Sequence, residues 1–256
     1  MKNFPQLLRF HYDLRTHLTR YSIPYLWLKR WQQRYLLPQA ARGETSGHII
    51  KWGAIEKDTE IVIEGYPRSG NTFASSAFRL AQNRPIKIAY RLHASTQLIT
   101  AVHLKIPAIA LIRKPEDAVL SWVIHRSHLT LEQAIKGYIS FHEAILPHCN
   151  YFIIADFETV INNFGVIIRA VNKKFDTTFQ EFVHTEENVQ KCFIMIDNFY
   201  RESGRGKISN NIVARPAQER NEAKIFLRQR LKAPNLQSLM GKADALYEQI
   251  LQYRSS

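Results

Sequence analysis

The chain has 256 residues, 45% hydrophobic and 22% charged, which is enough apolar material to bury a sizeable core. Thirty-five lysines and arginines against 22 acidic residues leave a net charge of +13, so the surface favours anionic ligands such as nucleic acid, acidic lipid or a multiply phosphorylated small molecule. Two cysteines, Cys149 and Cys192, make neither a disulfide framework nor a zinc site, no apolar run is long enough to span a bilayer, and no signal peptide follows Met1; a cytoplasmic protein is expected.

In chain order, residues 1–45 form a basic, aromatic helical extension. Trp27, Trp31 and Tyr35 are four apart and share a helix face, interleaved with Lys29, Arg30 and Arg34. One reading packs that face on the core; peripheral contact with a membrane surface, or a lid over an acceptor, is the other. A linker over 38–48 leads into an α/β domain that fills residues 46–256. There, short runs rich in β-branched residues at 61–65, 86–90, 106–113 and 151–156 alternate with helically spaced segments at 72–82, 115–125, 130–146 and 159–175. That alternation predicts a central parallel sheet with helices on both faces, three layers in all. The polar, basic stretch 201–224 reads as an active-site loop.

Three constellations stand out. "IVIEGYPRSGNT", 61–72, runs from a strand into a tight turn, with Gly65, Gly70 and Thr72 at the positions of a GxxxxGK[ST] phosphate loop and Asn71 in place of its lysine. Arg68, Ser69, Asn71 and Thr72 supply donors for an anion nest, while the missing lysine points away from ATP or GTP hydrolysis. In "IALIRKPEDAVLSW", Arg113 ends a buried strand and Ser121 lies two turns into the following helix; taken alone, Arg113 reads as a structural ion pair with Glu116 or Asp117. In "YRLHAS", His93 follows the second strand on the same sheet edge as the glycine loop, with Arg91 two residues before it.

Taken together these segments resemble the sulfotransferase superfamily that uses 3′-phosphoadenosine 5′-phosphosulfate (PAPS). "GYPRSGNTF" is similar to that family's 5′-phosphosulfate loop, "TYPKSGTTW", and "RKPEDAVLSW" keeps the Arg, Pro, Asp and Ser spacing of its 3′-phosphate segment, "RNPKDVAVSY". "RLH" corresponds to the "KTH" that carries the family's histidine base, and the segment after Tyr151 is similar to its "YEDL" region. The resemblance spans about Ile61 to Phe175 and implies a P-loop-like α/β fold. It implies His93 as base with Arg68 and Arg91 as catalytic cations, and a PAPS site made of Arg68, Ser69, Gly70, Asn71, Thr72, Phe73, Arg113 and Ser121. Arg205 and Lys207, in "SGRGK", are the candidates for its late loop over the 3′-phosphate. The sequence departs from the family in carrying Arg68 for lysine and Phe73 where a tryptophan often faces the adenine. Arginine forks onto phosphate oxygens but does not release a proton, so its role is electrostatic.

The implied reaction is in-line transfer of a sulfuryl group to a hydroxyl or amine of a small-molecule or glycan acceptor, without a metal. No nucleic acid is expected as partner, since no zinc-finger, RRM or helix-turn-helix pattern accompanies the charge. The alternatives are a non-catalytic binder of a nucleotide or phosphorylated ligand on the same fold, and a basic nucleic-acid or membrane-surface module. Should His93 not be the base, His103, His125 and His128 are the nearest substitutes in sequence.

Overall fold

In the computed structural model the described residues are 4–21, 23–35, 53–203 and 219–254. Four strands, β1 (Ile61–Gly65), β2 (Ile88–Tyr90), β3 (Ala108–Ile112) and β4 (Ile153–Asp156), pair in parallel in the order β2-β1-β3-β4. Each is buried along its whole length, which explains the unbroken apolar runs: a strand covered on both faces has no solvent side to alternate with. The pleat divides those residues between two cores. Val62, Ala89, Ala110, Ile112 and Ile154 point to one, and Ile61, Ile63, Ile109, Leu111 and Ile153 to the other. The fold is therefore the expected α/β sheet with helices on both faces.

The first core is covered by α4 (Ser95–Leu104), α5 (Pro115–His125), α6 (Leu131–Ile145) and α11 (Pro234–Leu251). The second is covered by α3 (Asn71–Ala81), α8 (Phe164–Phe175) and α9 (Glu186–Ser203). Helix α4 was not anticipated, because "STQLITAVHL" is rich in β-branched residues that favour strands; burial of Ser95, Thr96, Gln97, Leu98 and Ala101 overrides that preference. The single helix expected over 159–175 is two, α7 (Phe157–Asn162) and α8. Asn163 leaves the helical region at φ −157° and ψ 67°, and the chain turns so that Gly165 presses on the Phe182 carbonyl, which a Cβ would meet at 2.5 Å. The expected loop over 201–224 begins in α9 and ends in α10 (Glu219–Leu231), with 204–218 outside the described residues.

Two helices precede the sheet: α1 (Phe4–Tyr21), packed on α6 and α4, and α2 (Ile23–Tyr35). Among the α2 residues whose side chains are described, Tyr25 and Leu26 reach the core, whereas Trp27 and Trp31 face outward; the Tyr35 side chain is not among them. The four-residue spacing identifies a face but not the side on which the core lies. Both cysteines are buried, and burial pushes each thiol up to about 12.

Candidate active site

Chain order reverses at β1: β2 lies on one side of it and β3 on the other. In such a sheet the loops leaving the two central strands diverge to opposite faces and open a crevice at their carboxyl ends. Three loops meet there. Gly65 closes β1 against β3 so tightly that a Cβ would stand 2.4 Å from the Leu111 carbonyl oxygen.

The loop after β1 is a tight turn in which the Ser69 N–H donates to the Tyr66 carbonyl at 3.2 Å and Asn71 Nδ2 donates to the same oxygen at 3.0 Å. Arg68 takes φ 71° and Gly70 φ 89°, a left-handed conformation that glycine adopts without strain; a Cβ there would also meet Val160 at 3.2 Å. Gly70 caps α3 without a side-chain bond, and the first turn of α3 contains no acidic residue. The helical ladder begins with the Ala74 N–H on the Gly70 carbonyl, 2.9 Å, so the amides ahead of it make no intrahelical bond. Ser69 Oγ and Asn71 Oδ1 are buried and have no hydrogen-bond partner among the described residues. Thr72 is buried beside them, its carbonyl accepting from the hydroxyls of Ser75 and Ser76. The open amides at the start of α3 and the Ser69 hydroxyl are donors that an anion could use, whereas Asn71 Oδ1 is an acceptor.

Two of the expected cations, Arg68 and Arg113, converge on this loop. Arg68 Nε donates to Ser121 Oγ at 2.9 Å, and Arg113 Nη1 donates to the Arg68 carbonyl at 2.9 Å, tying the loop after β1 to the loop after β3. The Arg113 guanidinium lies 3.8 Å over the Phe157 ring, and its buried Nε has no partner among the described residues. Burial lowers the pKa of Arg113, opposed by the charges of Asp117 and Glu158. The structural ion pair considered for Arg113 is not formed: Glu116 pairs with Arg228 at 2.6 Å, and Asp117 lies 3.8 Å from Lys224. Phe73 is nearly buried in an aromatic cluster with Phe182, His184 and Phe193, so it offers no open face for stacking. Arg205 and Lys207 lie outside the described residues.

His93 stands one strand away, at φ 52°. Its Nδ1 is 2.9 Å from the Gly65 carbonyl, which can only accept, so Nδ1 carries the proton and Nε2 keeps its lone pair. Burial lowers the imidazole pKa to about 3, helped by the charges of Arg15 and Arg91. Arg91 therefore acts on His93 through its field; it does not line the cleft beside the histidine. Of the substitute histidines, His103 sits in the last turn of α4, which runs back towards the start of β3 and so to the opposite edge of the sheet. His125 is stacked on Trp122, with ring centroids 5.3 Å apart. The backbone carbonyl of His128 accepts from Arg9.

Sequence reasoning missed Glu64, which looked like one polar residue in an apolar strand. It is fully buried, and its carboxyl bridges the two loops: Oε1 accepts from the Gly65 N–H at 3.0 Å, and Oε2 accepts from the Leu92 N–H at 3.0 Å and from Gln97 Nε2 at 2.8 Å. Oε1 is also 3.8 Å from His93 Nδ1, but with the imidazole neutral and its proton committed to Gly65 this is no ion pair. Glu64 is thus the brace that positions the histidine loop. A signal was present: a glutamate inside a fully apolar strand needs buried donors.

Burial pushes the Glu64 carboxyl up to about 7 from an ordinary 4.5, against the N–H groups that favour its ionised form. A carboxyl with a raised folded pKa binds its proton more tightly when folded. Its stabilising contribution is complete below the ordinary value and is lost as pH rises through about 7. Glu64→Gln cannot offer two acceptor oxygens, so it is expected to cost about 1–3 kcal/mol through an unsatisfied buried donor. Urea denaturation should show a larger loss at pH 5 than at pH 8. Equal losses would mean that Glu64 does not titrate in this range.

Beside His93 lies a cleft floored by Tyr66, Trp122 and Phe141, and α1 covers it with Tyr12, Arg15 and Thr16. The cover is fastened at two points to the histidine loop: Arg15 Nη2 donates to the Leu92 carbonyl at 2.8 Å, and Ser95 Oγ donates to the Thr19 carbonyl at 3.2 Å. Gly137 of α6 makes room for the Tyr12 hydroxyl, which a Cβ would meet at 2.5 Å. The residues that cover this cleft thus come from α1 and not from the aromatic helix α2.

No protein-family model matches the chain, and neither does any curated protein. Among solved structures, the chain is similar to that of mouse sulfotransferase SULT7A1 complexed with PAP, at 10% identity and a TM-score of 0.39, over 72% of this chain and 89% of that one.

Proposed function

We propose that the protein is a PAPS-dependent sulfotransferase that acts on a hydroxyl or amine of a small-molecule or glycan acceptor. One observation carries this reading. Two arginines, a serine and an uncapped helix start converge on one crevice, with buried polar atoms still lacking partners, next to a neutral histidine facing a separate cleft.

The buried, unpartnered Ser69 Oγ and Arg113 Nε fit an anion with several oxygens. Bound there, PAPS would supply an activated sulfuryl group on a phosphate leaving group. The amides of residues 70–72 and Arg68 would hold the 5′-phosphosulfate end, and Arg113 with Ser121 the 3′-phosphate. His93 Nε2 would take the acceptor proton as the acceptor–sulfur bond forms. The electron pair of the broken sulfur–oxygen bond stays on the departing phosphate, where Arg68 and the loop amides offset the growing charge. Arg91, from outside the cleft, helps to keep His93 unprotonated.

Calorimetric titration with adenosine 3′,5′-bisphosphate, ATP and adenosine 5′-phosphate tests the cofactor assignment. The bisphosphate is expected to bind at least about tenfold more tightly than either of the others, since only it engages both arginines. Turnover is expected to survive EDTA, because Arg68 and the loop amides are assigned the neutralisation of the leaving group that a metal ion would otherwise perform. Magnesium-dependent ATP hydrolysis by clean protein would overturn the assignment.

A further inference from the structure

We propose that α1 and α2 form a docking surface for an anionic lipid bilayer, on which the protein lies without crossing it. The inference does not depend on the chemistry of the cleft.

Thirteen large hydrophobic side chains are exposed among the described residues, and six of them belong to these two helices. On α1, Phe10 (66% exposed), Leu14 and Leu18 recur every fourth residue, which sets them along one stripe. On α2, Trp27 (65% exposed), Leu28 and Trp31 (43%) cluster within a sector of about 100°. The other side of α1 is already committed to the cleft through Tyr12, Arg15 and Thr16, so this helix has one face for the protein and another for something else.

Charge identifies the partner. The first 35 residues contain seven lysines and arginines and a single acid, Asp13, whose carboxylate accepts a hydrogen bond from Gln133 at 2.8 Å. Arg9, Arg15 and Arg30 each donate to a backbone carbonyl of the body, of His128, Leu92 and Ile55, and Lys29 donates to Gln32 Oε1 at 2.9 Å, so these cations add a positive field along the two helices while most of their hydrogen bonds are spent on the protein. A second copy of the chain would bring like charge against like, which disfavours a dimer through this face. A phosphate-rich polymer would satisfy the cations but leave the Phe–Leu–Leu stripe without an apolar partner. An anionic bilayer meets both needs: tryptophan suits the headgroup boundary, leucine and phenylalanine enter the acyl region, and the net positive charge of the two helices is drawn to the field of acidic lipid. No described helix is long and apolar enough to cross a membrane.

The test is co-sedimentation of the full chain with vesicles of phosphatidylcholine, with and without phosphatidylglycerol, alongside tryptophan emission. Binding to the anionic vesicles is expected to be at least about tenfold stronger than to phosphatidylcholine alone, to weaken with salt and to be accompanied by a blue shift. Trp27→Ser with Trp31→Ser, and separately Phe10→Ser with Leu14→Ser, should each reduce it by about tenfold or more. All four side chains are exposed, so the fold should survive, as circular dichroism can verify. The proposal is overturned by equal binding to both vesicle types, by variants that bind like the parent, or by a concentration-dependent dimer that the tryptophan substitutions dissolve.

Discussion

Replacing His93 by asparagine is expected to lower kcat by about 10²- to 10⁴-fold for a hydroxyl acceptor while leaving affinity for adenosine 3′,5′-bisphosphate nearly unchanged. Asparagine is chosen because its amide can still donate to the Gly65 carbonyl, the bond that holds the imidazole at 2.9 Å, while it offers no basic nitrogen in place of Nε2. His93→Ala removes both groups, so a difference between the variants separates positioning from proton transfer. Burial and the nearby arginines keep the imidazole neutral down to about pH 3, so the acid limb due to this residue lies far below the usual histidine range. A rate profile flat between pH 5 and 6.5 in wild type, with the drop in kcat independent of pH, is the expected outcome. A limb near pH 6.5 that vanishes in the variant would show that water reaches the ring. Joint loss of kcat and bisphosphate affinity in folded protein would make His93 structural.

Arg113→Ala is expected to weaken binding of adenosine 3′,5′-bisphosphate by about 2–4 kcal/mol, roughly 30- to 1000-fold, and to change adenosine 5′-phosphate binding little. The guanidinium is positioned by its own surroundings: Nη1 holds the Arg68 carbonyl, Phe157 lies under the plane, and Tyr138 donates to the Arg113 carbonyl at 2.8 Å. Because Arg228 and Lys224 occupy the acidic residues at the start of α5, the charge of Arg113 is not consumed by a direct ion pair among the described residues. Arg113→Lys keeps the charge but loses the fork and the flat stacking surface, and should recover only part of the affinity. Equal losses for both nucleotides, measured by calorimetry, would mean that the residue supports the loop and does not select the ligand.

The sheet was legible because all four strands are covered on both faces, and their apolar runs have no other use in a chain of this composition. The loop from Gly65 to Thr72 was legible for a similar reason, since a positive φ, a close strand approach and a helix start each demand particular residues at fixed spacing. Arg113 and Ser121 were singled out by a spacing that resembles a known motif, and the structure adds that Arg68 joins them directly. Glu64 escaped because its partners, Leu92 and Gln97, are about thirty residues away and nothing local announces them. The outward turn of Trp27 and Trp31 escaped because periodicity has no sign. Covering of the cleft by α1 depends on Gly137, and its meaning as a contact site for Tyr12 exists only once α6 and α1 are packed together.

The deep burial of both native thiols makes the chain a quiet background for site-directed labelling. With Cys149 and Cys192 raised to about 12, almost no thiolate is present at neutral pH, and neither sulfur is reachable by a maleimide in the folded state. A single cysteine introduced at Leu14 would then be the only reactive one. A spin label or fluorophore there would report the position of α1 over the cleft without any deletion of native cysteines, and slow uptake of a second label would serve as a clock for global unfolding.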